Sequence, residues 1–142
     1  MAHLFRTPNK DAILRRGASV AGTSSAQNFG GDEILEVGVS SIQRSVIKFD
    51  ITDYSASQAD GSIGEDVKYY LNLYDAGSFE LTRDNNDIEV FTVSQSWTEG
   101  DGKLSDDPAI EEGVSWRYRT GVSESLAWSA TNSEFYSKLW CT

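Results

Sequence analysis

The sequence predicts an all-β fold, an antiparallel jelly-roll-like β-sandwich of about eight strands. Short segments of alternating apolar and polar residues recur along the chain, and clusters of Gly, Asn, Asp and Ser separate them. No window longer than a few residues follows the helical period. With 142 residues, 39% of them hydrophobic, the chain is long enough for one apolar core, and we expect a single domain over residues 11–142.

The N-terminal part is predicted to contain an irregular arm and two strands. Residues 1–10 form the arm, because the Thr-Pro-Asn-Lys run at positions 7–10 is typical of turns and no periodic pattern surrounds it. The first strand is expected at residues 11–16. The second is expected at residues 34–37, where Gly38 closes it.

The third predicted strand, residues 44–51, is expected to supply side chains to the core. Alternation along this strand places Ile47, Phe49 and Ile51 on one face, and Val46, Lys48 and Asp50 on the other. Because the apolar face of a sheet is the one that packs, we expect these three side chains to point inward.

Two more strands are predicted in the middle of the chain, at residues 67–74 and 88–93, where apolar and polar residues again alternate. A polar loop with one turn of helix is expected between residues 52 and 66, and an Asn- and Asp-rich turn at residues 83–87. We expect the two strands to pair in one sheet.

The net charge of the chain and its few reactive side chains argue against several classes of function. The formal net charge of −10 repels phosphate groups, so nucleic-acid binding is not expected, and no apolar run approaches a membrane span. His3 is the only histidine and Cys141 the only cysteine, which gives no nucleophile–histidine arrangement. The acidic residues between positions 99 and 112 are expected to be solvated rather than paired as in a hydrolase. We therefore predict no catalytic residues and no enzymatic activity.

Several short motifs occur in a fixed order along the chain. They are Asn28-Phe29-Gly30, Val37-Gly38, Arg44-Ser45, Phe49-Asp50, Leu73-Tyr74 and Trp97-Thr98-Glu99-Gly100. This ordered set resembles the DNRLRE-type domain, a β-sandwich related to carbohydrate-binding modules that occurs in bacteriophage virion proteins and in secreted bacterial proteins. Nothing after Trp116 matches the closing strands of that family. The sandwich therefore either closes differently or is shortened, with a sheet edge exposed for pairing with another chain.

The resemblance, together with a start that lacks a signal-peptide run, implies a non-enzymatic structural or accessory protein of a tailed bacteriophage virion. Such a protein would be made in the host cytoplasm and would decorate the capsid or belong to the tail or baseplate. The expected partners are other virion proteins and further copies of the chain in a homo-oligomer. The alternative is a carbohydrate-binding module that recognises a cell-surface polysaccharide.

Both functions would use aromatic and arginine side chains, which stack on sugar rings and anchor protein interfaces. The candidate contact residues are Trp116, Arg117, Tyr118, Arg119 and Trp128. The polar surroundings of Trp116 and Trp128 leave exposure open as an alternative, but for each of them we favour burial, since large aromatic residues dominate the cores and subunit interfaces of small β proteins. Trp97 follows an alternating segment, and we assign it to the core.

Calcium is the one ion that the sequence suggests, since Asp84, Asp87 and Asp101 offer the oxygen ligands that this cation takes. The spacing from Asp101 is not that of an EF-hand, because Lys103 occupies the third ligand position. We expect these carboxylates to stabilise turns through hydrogen bonds to the backbone, with calcium as the weaker alternative. No other cofactor is expected.

Overall fold

The computed structural model describes residues 5–16, 25–38, 43–64, 66–74, 76 and 88–128. The regular elements are strands β1 (Lys10–Arg15) and β2 (Gln43–Lys48), helix α1 (Thr52–Ala59) and a 3₁₀ turn at Glu124–Leu126. The described ranges therefore hold one α-helix and a two-stranded antiparallel sheet, which is consistent with a mostly-β chain. Among their helices, none is long and apolar enough to cross a membrane.

β1 and β2 pair antiparallel, with Ala12 opposite Val46 and Leu14 opposite Arg44. The strand expected at residues 11–16 is confirmed within one residue at each end. The strand expected at residues 44–51 is shorter than predicted, since β2 ends at Lys48.

The inward face of β2 differs from the prediction. Val46 is the buried residue, whereas Ile47 and Phe49 are half-buried and Ile51 is 52% exposed. Ile51 lies beyond the end of the strand, so the alternation of the sheet no longer sets its direction. Val46 is buried because it lies opposite Ala12, on the face of the sheet that meets the core.

The core is built on one face of this sheet. Its members are Ala12, Leu14, Val46, Val114 and Trp128, and the half-buried Trp97 and Trp116 pack against it. The assignment of Trp97 to the core is confirmed. Ile13 on the opposite face of β1 is also 1% exposed, so β1 is buried on both faces. Each large aliphatic side chain buried in this way contributes about 1.5–3 kcal/mol to folding.

Three predicted strands have no regular strand structure. Residues 34–37 are irregular, although Gly38 next to them pairs with Gln43 through two backbone hydrogen bonds of 2.9 and 3.2 Å. Residues 67–74 and 88–93 have neither helix nor strand pairing, and most of their side chains are exposed. Alternating apolar and polar residues indicate only that a segment suits a pleated, half-buried surface. A strand also needs a neighbouring strand that completes its backbone hydrogen bonds.

α1 replaces the single helical turn that was expected after β2. The carboxylate of Asp50 accepts hydrogen bonds from the backbone N–H and the hydroxyl of Thr52, at 3.0 and 2.6 Å, and so stabilises the first turn. Gly61, with a φ of 78°, follows the end of the helix and adopts the left-handed conformation that terminates helices. None of the residues of α1 is buried.

Candidate functional site

A buried cluster of hydrogen bonds is built around Asn28, whose side chain is fully buried. Its Nδ2 donates to the carbonyl oxygens of Glu99 and Val114, at 2.6 and 2.7 Å. Its Oδ1 accepts from the backbone N–H groups of Gly102 and Gly30, at 2.8 and 3.2 Å. The amide group therefore uses both donors and both acceptor positions.

Backbone hydrogen bonds join the same three segments, residues 28–31, 98–102 and 110–114, which we call the Asn28 cluster. The N–H of Asn28 donates to the carbonyl of Ile110, and the N–H of Gly31 to the carbonyl of Gly102, both at 2.9 Å. One buried side chain thus holds together parts of the chain that are far apart in sequence.

Two glycines make this close packing possible. A Cβ at Gly100 would lie 2.4 Å from Oδ1 of Asn28, and a Cβ at Gly113 would lie 2.6 Å from its Nδ2. Both also have positive φ angles, 77° and 109°, which side-chain-bearing residues rarely adopt. The cluster therefore requires glycine at both positions.

The carboxylate of Glu99 ties the cluster to β1, since its Oε1 accepts a 2.7 Å hydrogen bond from the backbone N–H of Asp11. Partial burial, and then the nearby charge of Glu99, raise the pKa of the Asp11 carboxyl. Glu99 is thus engaged with the main chain of the first strand.

The acidic loop that follows Glu99 is largely solvated. Four of its carboxylates are on exposed residues: Asp101, Asp107, Glu111 and Glu112. Asp106 is half-buried and accepts a 2.6 Å hydrogen bond from the backbone N–H of Lys103, which closes a turn. The expectation of a solvated loop is confirmed for the four exposed residues.

Two of the predicted contact residues are buried, and for Trp128 the favoured alternative, burial, is the one that the structure has. Trp128 is 5% exposed, belongs to the core, and its indole N–H donates to the carbonyl of Ser115 at 3.0 Å. Tyr118 is also 5% exposed, and its backbone pairs with Ala127. Polar neighbours in the sequence do not keep Trp128 at the surface, because the indole satisfies its N–H inside the fold.

The other three contact residues reach the surface to different degrees. Trp116 is half-buried, and the guanidinium carbon of Arg44 lies 4.4 Å from the centroid of its ring. Arg117 is exposed, whereas Arg119 is half-buried and donates from Nη1 to the carbonyl of Ser96 at 3.3 Å. Arg117 is therefore the most accessible member of the predicted contact set.

Sequence reasoning missed a partly buried ion pair on the second face of β1. The side chain of Arg15 is 10% exposed and donates from Nη2 to Oε2 of Glu36, which also accepts a 2.7 Å hydrogen bond from Gln43. The guanidinium carbon lies 5.4 Å from the centroid of the Phe29 ring. The one available signal was the position of Arg15, which shares a strand face with Ile13.

The calcium prediction receives no added support. Asp84 and Asp87 lie outside the described residues, and Asp101 is exposed. Within the part of the chain that the structure describes, no group of three or more His, Cys, Asp or Glu residues is placed to hold a metal ion. A calcium site stays a prediction.

Comparisons of the chain with protein-family models, curated proteins and solved structures give no match. The resemblance to the DNRLRE-type domain therefore rests on the sequence motifs alone. It stays a prediction.

Proposed function

We propose that this chain is a non-enzymatic structural or accessory protein of a tailed bacteriophage virion, built as a jelly-roll-like β-sandwich of the DNRLRE type. The Asn28 cluster carries the proposal. It joins residues from two motifs of the resemblance, Asn28-Phe29-Gly30 and Trp97-Thr98-Glu99-Gly100, through a side-chain hydrogen bond that spans 71 positions. Motifs that meet in this way are expected of a shared architectural framework.

The chemistry of the cluster favours a framework over a reactive site. A catalytic group needs a hydrogen-bonding position that a substrate or water can use. The amide of Asn28 has all its positions occupied by backbone groups, and the carboxylate of Glu99 accepts from the backbone of Asp11. These polar groups stabilise the fold, which supports a role in contacts rather than in turnover.

The burial of β1 supports the sandwich. A two-stranded sheet with one packed face would leave the side chains of its other face in water, yet Ala12 and Ile13, on opposite faces, are both 1% exposed. Packing on both sides of a strand requires further layers.

Contacts with other virion proteins would use the surface around Arg117. Arg117 is exposed on a chain with a formal net charge of −10, and arginine is enriched in protein interfaces. An acidic patch on a neighbouring virion subunit is the partner chemistry that fits it.

Carbohydrate binding is the weaker proposal. Sugar rings stack on exposed aromatic faces, but Trp128 and Tyr118 are buried and Arg44 lies over the ring of Trp116. The residues that the sequence suggested for stacking are thus occupied inside the fold.

The test is to purify particles of the phage that encodes the chain and to detect the chain in them by mass spectrometry and immunogold labelling. Light scattering after size-exclusion chromatography gives the oligomeric state of the isolated protein. A fixed copy number per particle and an oligomer in solution are the expected results. Absence from particles, together with a monomer that is retained on cell-surface polysaccharide, would overturn the structural role in favour of carbohydrate binding.

The Arg117→Ala variant sharpens this test, because we expect it to bind particles more weakly while it unfolds at the same urea concentration. Arg6→Ala is the matched control, since Arg6 is also exposed and makes its ion pair with Asp53 on α1. Equal loss of binding in both variants would argue against a docking surface around Arg117.

A further inference from the structure

Two tyrosines connect helix α1 to the irregular segment at residues 66–74. Tyr54, on α1, and Tyr69 have ring centroids 5.6 Å apart and ring planes inclined by 73°, which is an edge-to-face arrangement. None of the residues of α1 is buried, and residues 66–74 form neither helix nor strand. The ring contact therefore joins two parts of the chain whose side chains are largely exposed.

The two rings differ in their access to solvent. Tyr69 is 70% exposed, whereas Tyr54 is half-buried. The neighbouring phenol of Tyr69, and then burial, raise the pKa of Tyr54 to about 12, so the Tyr54 phenol is protonated at neutral pH. An oxidant in solution therefore reaches Tyr69 first, and the ring of Tyr54 lies in contact with it.

We propose that Tyr54 and Tyr69 form a site of oxidative cross-linking, at which a haem peroxidase and hydrogen peroxide join the two rings as dityrosine. The reaction needs two phenols whose rings touch, and an edge-to-face pair at this separation is in van der Waals contact. Because Tyr69 is largely exposed, its ring can turn until one of its ortho carbons meets that of Tyr54. The inference goes beyond the proposed virion role and does not depend on it.

Cross-linking takes one hydrogen atom from each tyrosine. The peroxidase removes one electron and the phenolic proton from each ring, which leaves two phenoxyl radicals. The radicals combine through one ortho carbon of each ring, and the hydrogen on each of these carbons moves to the phenol oxygen as the ring becomes aromatic again. One molecule of hydrogen peroxide takes up the two electrons and the two protons and yields two molecules of water.

The position of the rings, rather than their exposure, selects this pair. Tyr70 and Tyr74 are 78% and 92% exposed, so an oxidant reaches them at least as easily as Tyr69. Within the described part of the chain, however, the ring contact between tyrosines is that of Tyr54 with Tyr69. In dilute protein, coupling inside one molecule should therefore occur at this pair, whereas Tyr70 and Tyr74 would couple between molecules.

A bond between the two rings would act as a covalent staple. It closes the loop of chain from residue 54 to residue 69, and closing a loop stabilises a fold because it lowers the conformational entropy of the unfolded chain. It also fixes the start of the irregular segment beside α1. The ring contact alone is weaker, since an aromatic pair contributes about 0.5–1.5 kcal/mol beyond its burial.

The sequence makes the cross-link simple to map, because trypsin cleaves after Lys68 and so separates Tyr54 from Tyr69. The full chain is treated in dilute solution with a haem peroxidase and hydrogen peroxide and is then digested. We expect peptide 49–68 joined to peptide 69–83, lighter than their sum by two hydrogen atoms. In a mixture of ¹⁴N and ¹⁵N protein, both halves of each joined peptide should carry the same isotope.

Variants identify the tyrosines that react. Tyr69→Phe should abolish the joined peptide, because phenylalanine forms no phenoxyl radical. The matched control is Tyr70→Phe with Tyr74→Phe, which removes two more exposed tyrosines of the same peptide and should leave the yield unchanged. Loss of the joined peptide in the control, its persistence in Tyr69→Phe, or joined peptides that carry both isotopes would overturn the proposal. None of these measurements involves phage particles, so their failure is separable from that of the proposed function.

Discussion

The side-chain amide of Asn28 donates a 2.6 Å hydrogen bond to the carbonyl oxygen of Glu99, which lies 71 positions later in the chain. The carboxylate of the same glutamate accepts from the backbone N–H of Asp11. Two short contacts therefore connect β1, the turn after residue 28 and the loop that begins at residue 99. A fold held by contacts this distant in sequence is expected to form slowly, because loop closure must precede the contacts.

Replacing Asn28 should destabilise the protein strongly. Asn28→Ala removes four hydrogen bonds and leaves buried backbone groups without partners, which costs about 3 kcal/mol or more. Asn28→Asp should be at least as harmful, because a carboxylate cannot donate to the carbonyl oxygens of Glu99 and Val114. Urea unfolding measures both losses. The control is Asn72→Ala, at an exposed position, and a shift of equal size there would show that the cluster has no special role.

Two glycines with the same backbone conformation allow the cost of backbone strain to be measured apart from the cost of steric overlap. Gly61 and Gly100 have φ angles of 78° and 77°, yet a Cβ at Gly61 would meet nothing within 4 Å, whereas one at Gly100 would overlap Asn28. Gly61→Ala should therefore cost about 1 kcal/mol, which is the penalty of the left-handed conformation. Gly100→Ala should cost several times more in the same urea titration. Equal losses would mean that the loop around Gly100 relaxes away from Asn28.

The sequence predicted those parts of the fold in which local pattern and tertiary contacts agree. β1 is an example, since an apolar run in a strand-forming segment also meets Val46 and Trp128 in the core. Trp97 was assigned correctly for the same reason. The motifs around Asn28 and Gly100 were visible in the sequence, but the hydrogen bonds that join them follow no local rule.

The sequence did not predict the structure where the local pattern or the tertiary contacts left no sign in it. α1 contains no buried residue, so no apolar stripe marked Thr52–Ala59 as a helix. Trp128 has polar neighbours in the sequence, yet it packs on β1 and β2 because distant residues surround it. The ion pair between Arg15 and Glu36 needs knowledge of which segments adjoin, and alternation alone does not give it.

The raised pKa of Asp11 predicts a pH-dependent stability. Partial burial and the charge of Glu99 make the folded protein hold this proton more tightly than the unfolded chain does. The resulting stability is present below the ordinary pKa of 3.8 and is lost as the pH rises through the raised value. Asp11→Asn should thus stabilise the protein at neutral pH and change little below pH 3.8. Urea unfolding at both pH values measures the difference.

Asp50 provides a control, because its pKa is shifted in the direction opposite to that of Asp11. Hydrogen bonds from the hydroxyl and N–H of Thr52 lower the pKa of its carboxyl, so its contribution is present above 3.8 and is lost as the pH falls through the lowered value. Asp50→Asn should therefore weaken the protein at neutral pH and not in acid. If Asp11→Asn behaved in the same way, the carboxyl of Asp11 would be a stabilising group in its charged form, contrary to its burial beside Glu99.

The two partners of the ion pair between Arg15 and Glu36 should respond unequally to removal. Arg15 is 10% exposed and Glu36 44%, so the guanidinium depends on its partner more than the carboxylate does. Glu36→Ala leaves a buried cation without its counter-charge, but because the Glu36 side chain is 44% exposed, the cost is below the about 3–5 kcal/mol of a fully buried pair.

Arg15→Met keeps the volume against Phe29, and Nε of Arg15 makes no hydrogen bond that the described residues supply, so this variant should cost less than Glu36→Ala. The double variant should resemble Arg15→Met alone, because no unpaired cation is left in it. A double-mutant cycle in urea measures the coupling. A greater loss in Arg15→Met than in Glu36→Ala would show that the contact between the guanidinium and Phe29, rather than the ion pair, holds this face of β1.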